Sequence, residues 1–206
     1  MLAVLHERNN SCDAASVAFI VVPSPGGRLD MQGALVRLPC KACSTEVVLI
    51  ADPADPPGNL HAAPPRIKAS YAMGSTAQRM NAAAALSRAE LLVFLSPGTA
   101  LPPFTDQHLV AVIGTECRAW GVLSLRAPPQ GLLGRLADRI KRGVSSGKNP
   151  CAKPVAVFVR RDAFDAVGGV PASATEDVLD AFQVKLKSLC APLCLVHWPT
   201  GWLPHG

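Results

Sequence analysis

Apolar residues fall into short, dense runs separated by proline- and glycine-rich breaks. The run 16–22 (SVAFIVV) is rich in Val and Ile and stops at Pro23-Ser24-Pro25-Gly26-Gly27. A continuous apolar run of this length, bounded by turn residues, predicts a buried strand followed by a loop. The run 46–50 repeats the pattern and ends in the loop 52–58, which holds three prolines. Leu91–Leu95 is fully apolar, as a central strand covered on both faces must be, and Ser96-Pro97-Gly98-Thr99 closes it. Trp120–Leu125, 155–159 and 194–197 predict further strands.

Helical patterns lie between these runs. A helix is expected near 31–38. Another covers 77–88, where alanine, the strongest helix former, dominates and Ser75 or Thr76 can cap the start. Thr105 is read as the cap of a helix reaching about Cys117. The segment 130–142 is amphipathic, with Leu132, Leu133, Leu136 and Ile140 on one face and Arg135, Asp138, Arg139 and Arg142 largely off it. Asp162 is read as the cap of a short helix that Gly168-Gly169 ends. The last helix, 175–189, puts Val178, Leu179, Phe182, Leu186 and Leu189 on its buried side. Strands alternating with helices predict an α/β fold: a mostly parallel mixed sheet with helices on both faces. One domain is expected over 1–206, with 1–15 and 199–206 loosely ordered. Ligands of such sheets sit beyond the carboxyl ends of the strands. That directs attention to the loops 23–27, 52–58 and 96–99.

Composition narrows the picture. Apolar residues make up 49% of the 206 and charged residues 17%, which excludes a polar disordered chain. No apolar run approaches the ~20 residues of a membrane helix. The net charge of +5 is concentrated in one place: the window 135–161 holds eight basic residues and one acid, Asp138, so the remainder is slightly acidic. Such a window attracts phosphates or acidic surfaces, although a solvated helix face has the same composition. Aromatics are only 5%, too few for a base-stacking surface, so no nucleic acid is expected. The apolar stripe and basic flanks of 130–142 fit peripheral contact with a membrane.

Seven cysteines is an odd count, and residues 1–11 lack the basic and apolar regions of a secretory signal, so a cytoplasmic chain is expected. Cys40-Lys41-Ala42-Cys43 precedes the strand 46–50, whereas a redox pair should follow a strand and open a helix. A zinc site would need it to meet the distant, poorly spaced Cys190 and Cys194. The thiols are therefore read as small buried or surface side chains. Gly147-Lys148 lacks the spacing and the Ser or Thr of a phosphate loop.

Four segments, in order, resemble a family-2-type glycosyltransferase of the GT-A fold, in particular the short bacterial kind labelled selenodomain-associated transferases. SVAFIVVP (16–23) resembles the first strand and its closing proline, and EVVLIAD (46–52) the second strand with its terminal aspartate. GSTAQRMNAAAALSRAELLVFLSPGTALP (74–102) is similar to the family's helix, apolar strand and nucleotide-sugar loop. AVFVRRDAFDAVGGVPASATED (156–177) is similar to its acceptor-side strand, Gly-Gly turn and Glu-Asp pair. The resemblance implies a nucleotide-diphosphate sugar lying across the carboxyl ends of the first strands, near Pro23, Asp52, Arg79, Asn81, Ser96 and Gly98. It implies Asp177, or secondarily Glu176, as the general base that deprotonates a hydroxyl acceptor, in keeping with a single inverting displacement. Transferases of this broad type often use lipid-linked acceptors, which is compatible with membrane contact through 130–142.

The chain departs from the family in its ligand-facing loops. Where the family carries Asp-x-Asp or His-Ala-Asp-Thr, this chain has Ser96-Pro97-Gly98-Thr99, and a glycine offers a hard cation no side-chain oxygen. The second loop, Asp52-Pro53-Ala54-Asp55-Pro56, has lost the family's glycine and serine, and the Asn-Glu that follows the first proline is missing. No cofactor is therefore expected. Lys148, Lys153 and Arg160 of the basic window stand as candidates to neutralise the leaving diphosphate instead. Three readings remain open: a metal-independent transferase, a relative that has lost catalysis and binds a nucleotide or a protein, and an enzyme for a different nucleotide-linked substrate. Each site residue also has a purely structural role open to it. Ser173-Ala174-Thr175-Glu176 is a capping box, Asp52 can form a turn before Pro53, and Arg79 and Asn81 can be solvated residues of an Ala-rich helix.

Overall fold

A computed structural model describes residues 17–22, 45–51, 67–95, 99, 101–102, 104–115, 119–125, 154–172, 178–198 and 201–205. Eight strands join into one sheet: β1 (Val17–Val21), β2 (Thr45–Ala51), β3 (Ile67–Tyr71), β4 (Leu91–Leu95), β5 (Trp120–Leu125), β6 (Ala156–Arg160), β7 (Leu193–Trp198) and β8 (Gly201–His205), in the order β3-β2-β1-β4-β6-β5-β7-β8. Pairing is parallel from β3 through β4 and between β5 and β7. It is antiparallel where β6 lies between β4 and β5, and where β8 folds back on β7. The helices among the described residues are α1 (Thr76–Leu86), α2 (Thr105–Thr115), α3 (Arg161–Ala166) and α4 (Val178–Leu186). The expected helices at 31–38 and 130–142 lie outside the described residues.

The period-2 geometry of the strands divides the core in two. Ala18 and Ile20 of β1, Leu92 and Phe94 of β4 and Val157 and Val159 of β6 face α1, α3 and α4, meeting Ala77, Met80, Ala83, Ala84, Phe164, Phe182 and Leu186. The alternate residues Val17, Phe19, Val93 and Phe158 face the other way, with Leu109 of α2 among them. Burial on both sides is what makes β1 and β4 apolar without alternation. Three of the six phenylalanines meet at the centre of the first layer. Phe94 stacks on Phe164 at 5.7 Å, and Phe182 sets its edge against both at 5.6 and 5.9 Å.

Local detail corrects several expectations. Ser75 is the N-cap of α1, and the cap is reciprocal: its hydroxyl accepts from the Gln78 N–H while Gln78 Oε1 accepts from the Ser75 N–H at 2.8 Å. Thr105 is the first helical residue of α2 rather than its cap, and its hydroxyl donates to the Pro102 carbonyl at 2.7 Å. Arg160, not Asp162, holds the cap position of α3; Asp162 lies in the first turn and accepts from the Ala163 N–H. Gly168 and Gly169 do end the segment, at φ +70° and +74°. The last helix stops at Leu186, so Leu189, expected on its buried side, is 44% exposed in the turn that follows. Two strands were not expected from the sequence, the edge strands β3 and β8.

Candidate functional site

All strands except β6 and β8 run the same way, so β1, β2, β3 and β4 close at one edge, at Val21, Ala51, Tyr71 and Leu95. The segment after β3 turns over that edge and enters α1. The N-terminal turn of α1, with its cap at Ser75, therefore stands at the carboxyl ends of the parallel strands. Seven residues after α4 ends, β7 begins at the opposite edge beside Gly121, so α4 starts toward the carboxyl edge. The topology thus gathers at one edge the strand ends that precede 23, 52 and 96, the start of α1 and the start of α4, which 177 immediately precedes.

Of the residues singled out in the sequence, Arg79, Asn81 and Arg160 lie within the described residues; Pro23, Asp52, Ser96, Gly98, Lys148, Lys153, Glu176 and Asp177 lie outside them. Arg79 sits at the fourth position of α1 and is 0% exposed, contrary to the default of a solvated charge on an Ala-rich helix. It shares the inward side of the helix with Ala77, Met80 and Ala83. Burying a guanidinium is costly unless polar groups surround it, and Arg79 is not without an interaction. The first turn of α1 thus carries an interior cation at the carboxyl edge.

Asn81 is likewise not a surface residue. Its amide spans the backbone of Val170: Nδ2 donates to the carbonyl at 2.9 Å and Oδ1 accepts from the N–H at 2.8 Å. Lys185 of α4 donates to the neighbouring Gly169 carbonyl at 3.3 Å. The turn 168–170, which leads into the Glu-Asp pair, is therefore clamped between α1 and α4. With its amide committed to Val170, Asn81 holds that turn.

Arg160 does not join the other candidates. It is the last residue of β6 and pairs with Leu91, the first of β4, so it stands at the amino edge of the sheet, a strand length from Leu95. Its guanidinium is held by Asp162 through two bonds, Nε to Oδ1 at 3.1 Å and Nη2 to Oδ2 at 2.5 Å. The antiparallel run of β6 reverses the direction a parallel reading assumed, and Arg160 is removed from the donor side.

Sequence reading also missed the role of Arg161, counted there only as part of the basic window. Its Nε donates to the Ala89 carbonyl at 2.8 Å and its Nη2 to those of Ala84 and Ser87 at 3.2 and 3.1 Å. Ala84 lies in the last turn of α1, Ser87 is its C-cap and Ala89 follows it, so the guanidinium closes the helix end, where a cation also meets the negative end of the helix dipole. A basic residue immediately after a strand, facing the end of an Ala-rich helix with no glycine at its C-cap, was the available signal. Among the described residues no group of three or more His, Cys, Asp or Glu side chains could hold a metal ion; Asp52, Glu176 and Asp177 are not among those residues. No helix of the described residues is long and apolar enough to cross a membrane.

No family model and no curated protein matches the chain. Solved structures do. The chain is similar to residues 1–349 of TarS from S. aureus, with a TM-score of 0.60 at 14% identity over 91% of this chain and 59% of that one. It is similar to the mannosyltransferase PcManGT from Pyrobaculum calidifontis, solved with GDP-Man and Mn²⁺, with a TM-score of 0.57 at 16% identity over 86% and 55%. TarS 1–349 solved with UDP-GlcNAc matches at 0.52 and 15% identity over 82% and 52%. The chain spans a little over half the length of these structures. Its fold is α/β of the GT-A nucleotide-sugar transferase type, as the resemblance implied.

Proposed function

We propose that this chain binds a nucleoside-diphosphate sugar at the carboxyl edge of its sheet and transfers the sugar to a hydroxyl acceptor. The observation that carries the reading is the convergence at one edge of the ends of β1, β2 and β4 with the starts of α1 and α4. Structures of similar fold bind GDP-Man and UDP-GlcNAc, which supports a donor of that class.

In this reading Asp177 takes the proton of the acceptor hydroxyl as its oxygen attacks the sugar carbon, and the nucleoside diphosphate leaves from the opposite face. Asp52 meets the base or ribose. Pro23 shapes the first loop, and the buried Arg79 fixes the start of α1 beside the donor. A cation of the kind seen with PcManGT does not suit the residues in the corresponding loop: Ser96 offers one hydroxyl and Gly98 no side-chain oxygen, whereas hard cations require several oxygen ligands. Charge on the leaving diphosphate is instead met by Lys148 and Lys153. The acceptor is lipid-linked, and 130–142 rests on the membrane surface that presents it.

The same altered loops favour a second reading, in which the fold has kept nucleotide binding and lost transfer. Asp177→Asn separates the two. Under the transferase reading it lowers turnover of the donor by about 10²- to 10⁴-fold, the usual contribution of a general base, and leaves donor affinity unchanged. Turnover equal to that of the unaltered chain, or none in either, contradicts it.

A further inference from the structure

The amino edge of the sheet, opposite the proposed donor site, carries a cavity of about 550 Å³. Its place is fixed by Leu91 and Arg160, paired where β4 begins and β6 ends. Leu91, with Val110 and Ile113 of α2, gives it an apolar wall. Its charged residues are not equivalent. Arg160 and Asp162 satisfy each other. Glu90 is exposed and has an interaction of its own, and its backbone carbonyl accepts the Arg161 N–H at 2.8 Å. Arg161 spends Nε and Nη2 on carbonyls at the end of α1, which leaves Nη1 uncommitted among the described residues. Arg88 is exposed to the cavity and forms neither a hydrogen bond nor an ion pair among the described residues. With the Arg160–Asp162 pair set aside, the cavity is lined by two arginines and one glutamate beside an apolar wall. The volume lies within the ~300–1,000 Å³ usual for small-molecule sites.

We propose that this cavity binds an amphiphilic oxyanion, a phosphate or carboxylate head held by Arg88 and by Nη1 of Arg161 with an apolar body against Leu91, Val110 and Ile113. Guanidinium forks suit either head, and the charge-assisted bonds they make are among the stronger ones. The wall removes apolar surface of the body from water, which an inorganic anion cannot exploit. The inference stands apart from the transferase reading, because the two sites lie at opposite edges.

Titration calorimetry of the full chain with decyl phosphate, decanoate, inorganic phosphate and decyltrimethylammonium, all below their micellar concentrations, tests it. At least one decyl anion binds, and inorganic phosphate and the decyl cation bind at least about tenfold more weakly. Arg88→Gln, at an exposed position, weakens the decyl anion about tenfold, the loss expected for one charge-assisted contact. Val110→Glu weakens it as well, and saturating UDP leaves it unchanged. The tighter of the two decyl anions identifies the head group. The proposal is overturned if neither decyl anion binds, if the decyl cation or inorganic phosphate binds equally well, if both variants bind undiminished, or if UDP displaces the amphiphile.

Discussion

Two side-chain atoms of Asn81 reproduce the pairing of a β-ladder with Val170, and the adjacent Gly169 is shaped by that contact. At φ +74° it occupies a region costly for any residue with a Cβ, and a Cβ there would fall 2.7 Å from Asn81 Oδ1. Gly168, at φ +70°, has nothing closer to such a Cβ than Lys185 Nζ at 3.9 Å. Gly168→Ala therefore costs about 1–2 kcal/mol, the left-handed penalty alone. Gly169→Ala costs more and also displaces Asn81. Asn81→Leu leaves both Val170 backbone groups without their partner and costs about 1–3 kcal/mol. Chemical denaturation of the three variants checks the ranking; equal costs for the two glycine substitutions contradict it. Little of this was legible in the sequence. The Gly-Gly turn was, but an asparagine eighty-nine residues away in the chain gives no local sign of the backbone it will meet. Arg79 left a fainter one: it lies four residues before Ala83 and beside Met80, on the inward stripe of its helix.

At the scale of elements, α1 shows why caps matter in a helix made largely of alanine. Its alanines bury little area each, so its ends carry more of its definition: the reciprocal Ser75–Gln78 cap at one end and Arg161 at the other. Glu46 of β2 reinforces the second end, accepting from Ser87 and pairing with Lys68 at 2.7 Å. Ser75→Ala costs about 1 kcal/mol, typical of a lost N-cap. Arg161→Gln costs about 1.5–3 kcal/mol, because three carbonyls lose a charged donor. Hydrogen exchange resolves the two: the first frays the start of α1 and the second its end, and uniform loss of protection along the helix contradicts separate capping. Legibility here followed burial. The doubly covered β4 and the strand β5 were read to the residue because apolar runs are unambiguous in the middle of a sheet. The edge strands β3 and β8 were missed because each pairs on one side only. An edge tolerates what a centre excludes, here the Lys68 charge and Pro204, the kinds of residue that argue against a strand when read alone.

For the molecule as a whole, the fold was legible in the sequence. The alternation of apolar runs with helices specified a covered, mostly parallel sheet, and the fold is similar to that of transferase structures at 14–16% identity. Direction was the missing quantity. Nothing local in 156–160 tells that this strand runs antiparallel, and this one reversal moves Arg160 from the proposed donor edge to the amino edge. The basic window is accordingly divided: Arg160 and Arg161 serve the amino edge, and only its other members remain for the donor. In the proposed function the carboxyl edge holds a nucleoside-diphosphate sugar without a resident cation. Thermal-shift titration with UDP- and GDP-sugars, each with and without Mn²⁺, tests it most directly. At a hundred times the dissociation constant a bound donor adds about 2.7 kcal/mol of stability, and the account predicts that at least one donor gives such a shift, unchanged by Mn²⁺. No shift with any donor, or a shift that requires Mn²⁺, would contradict it.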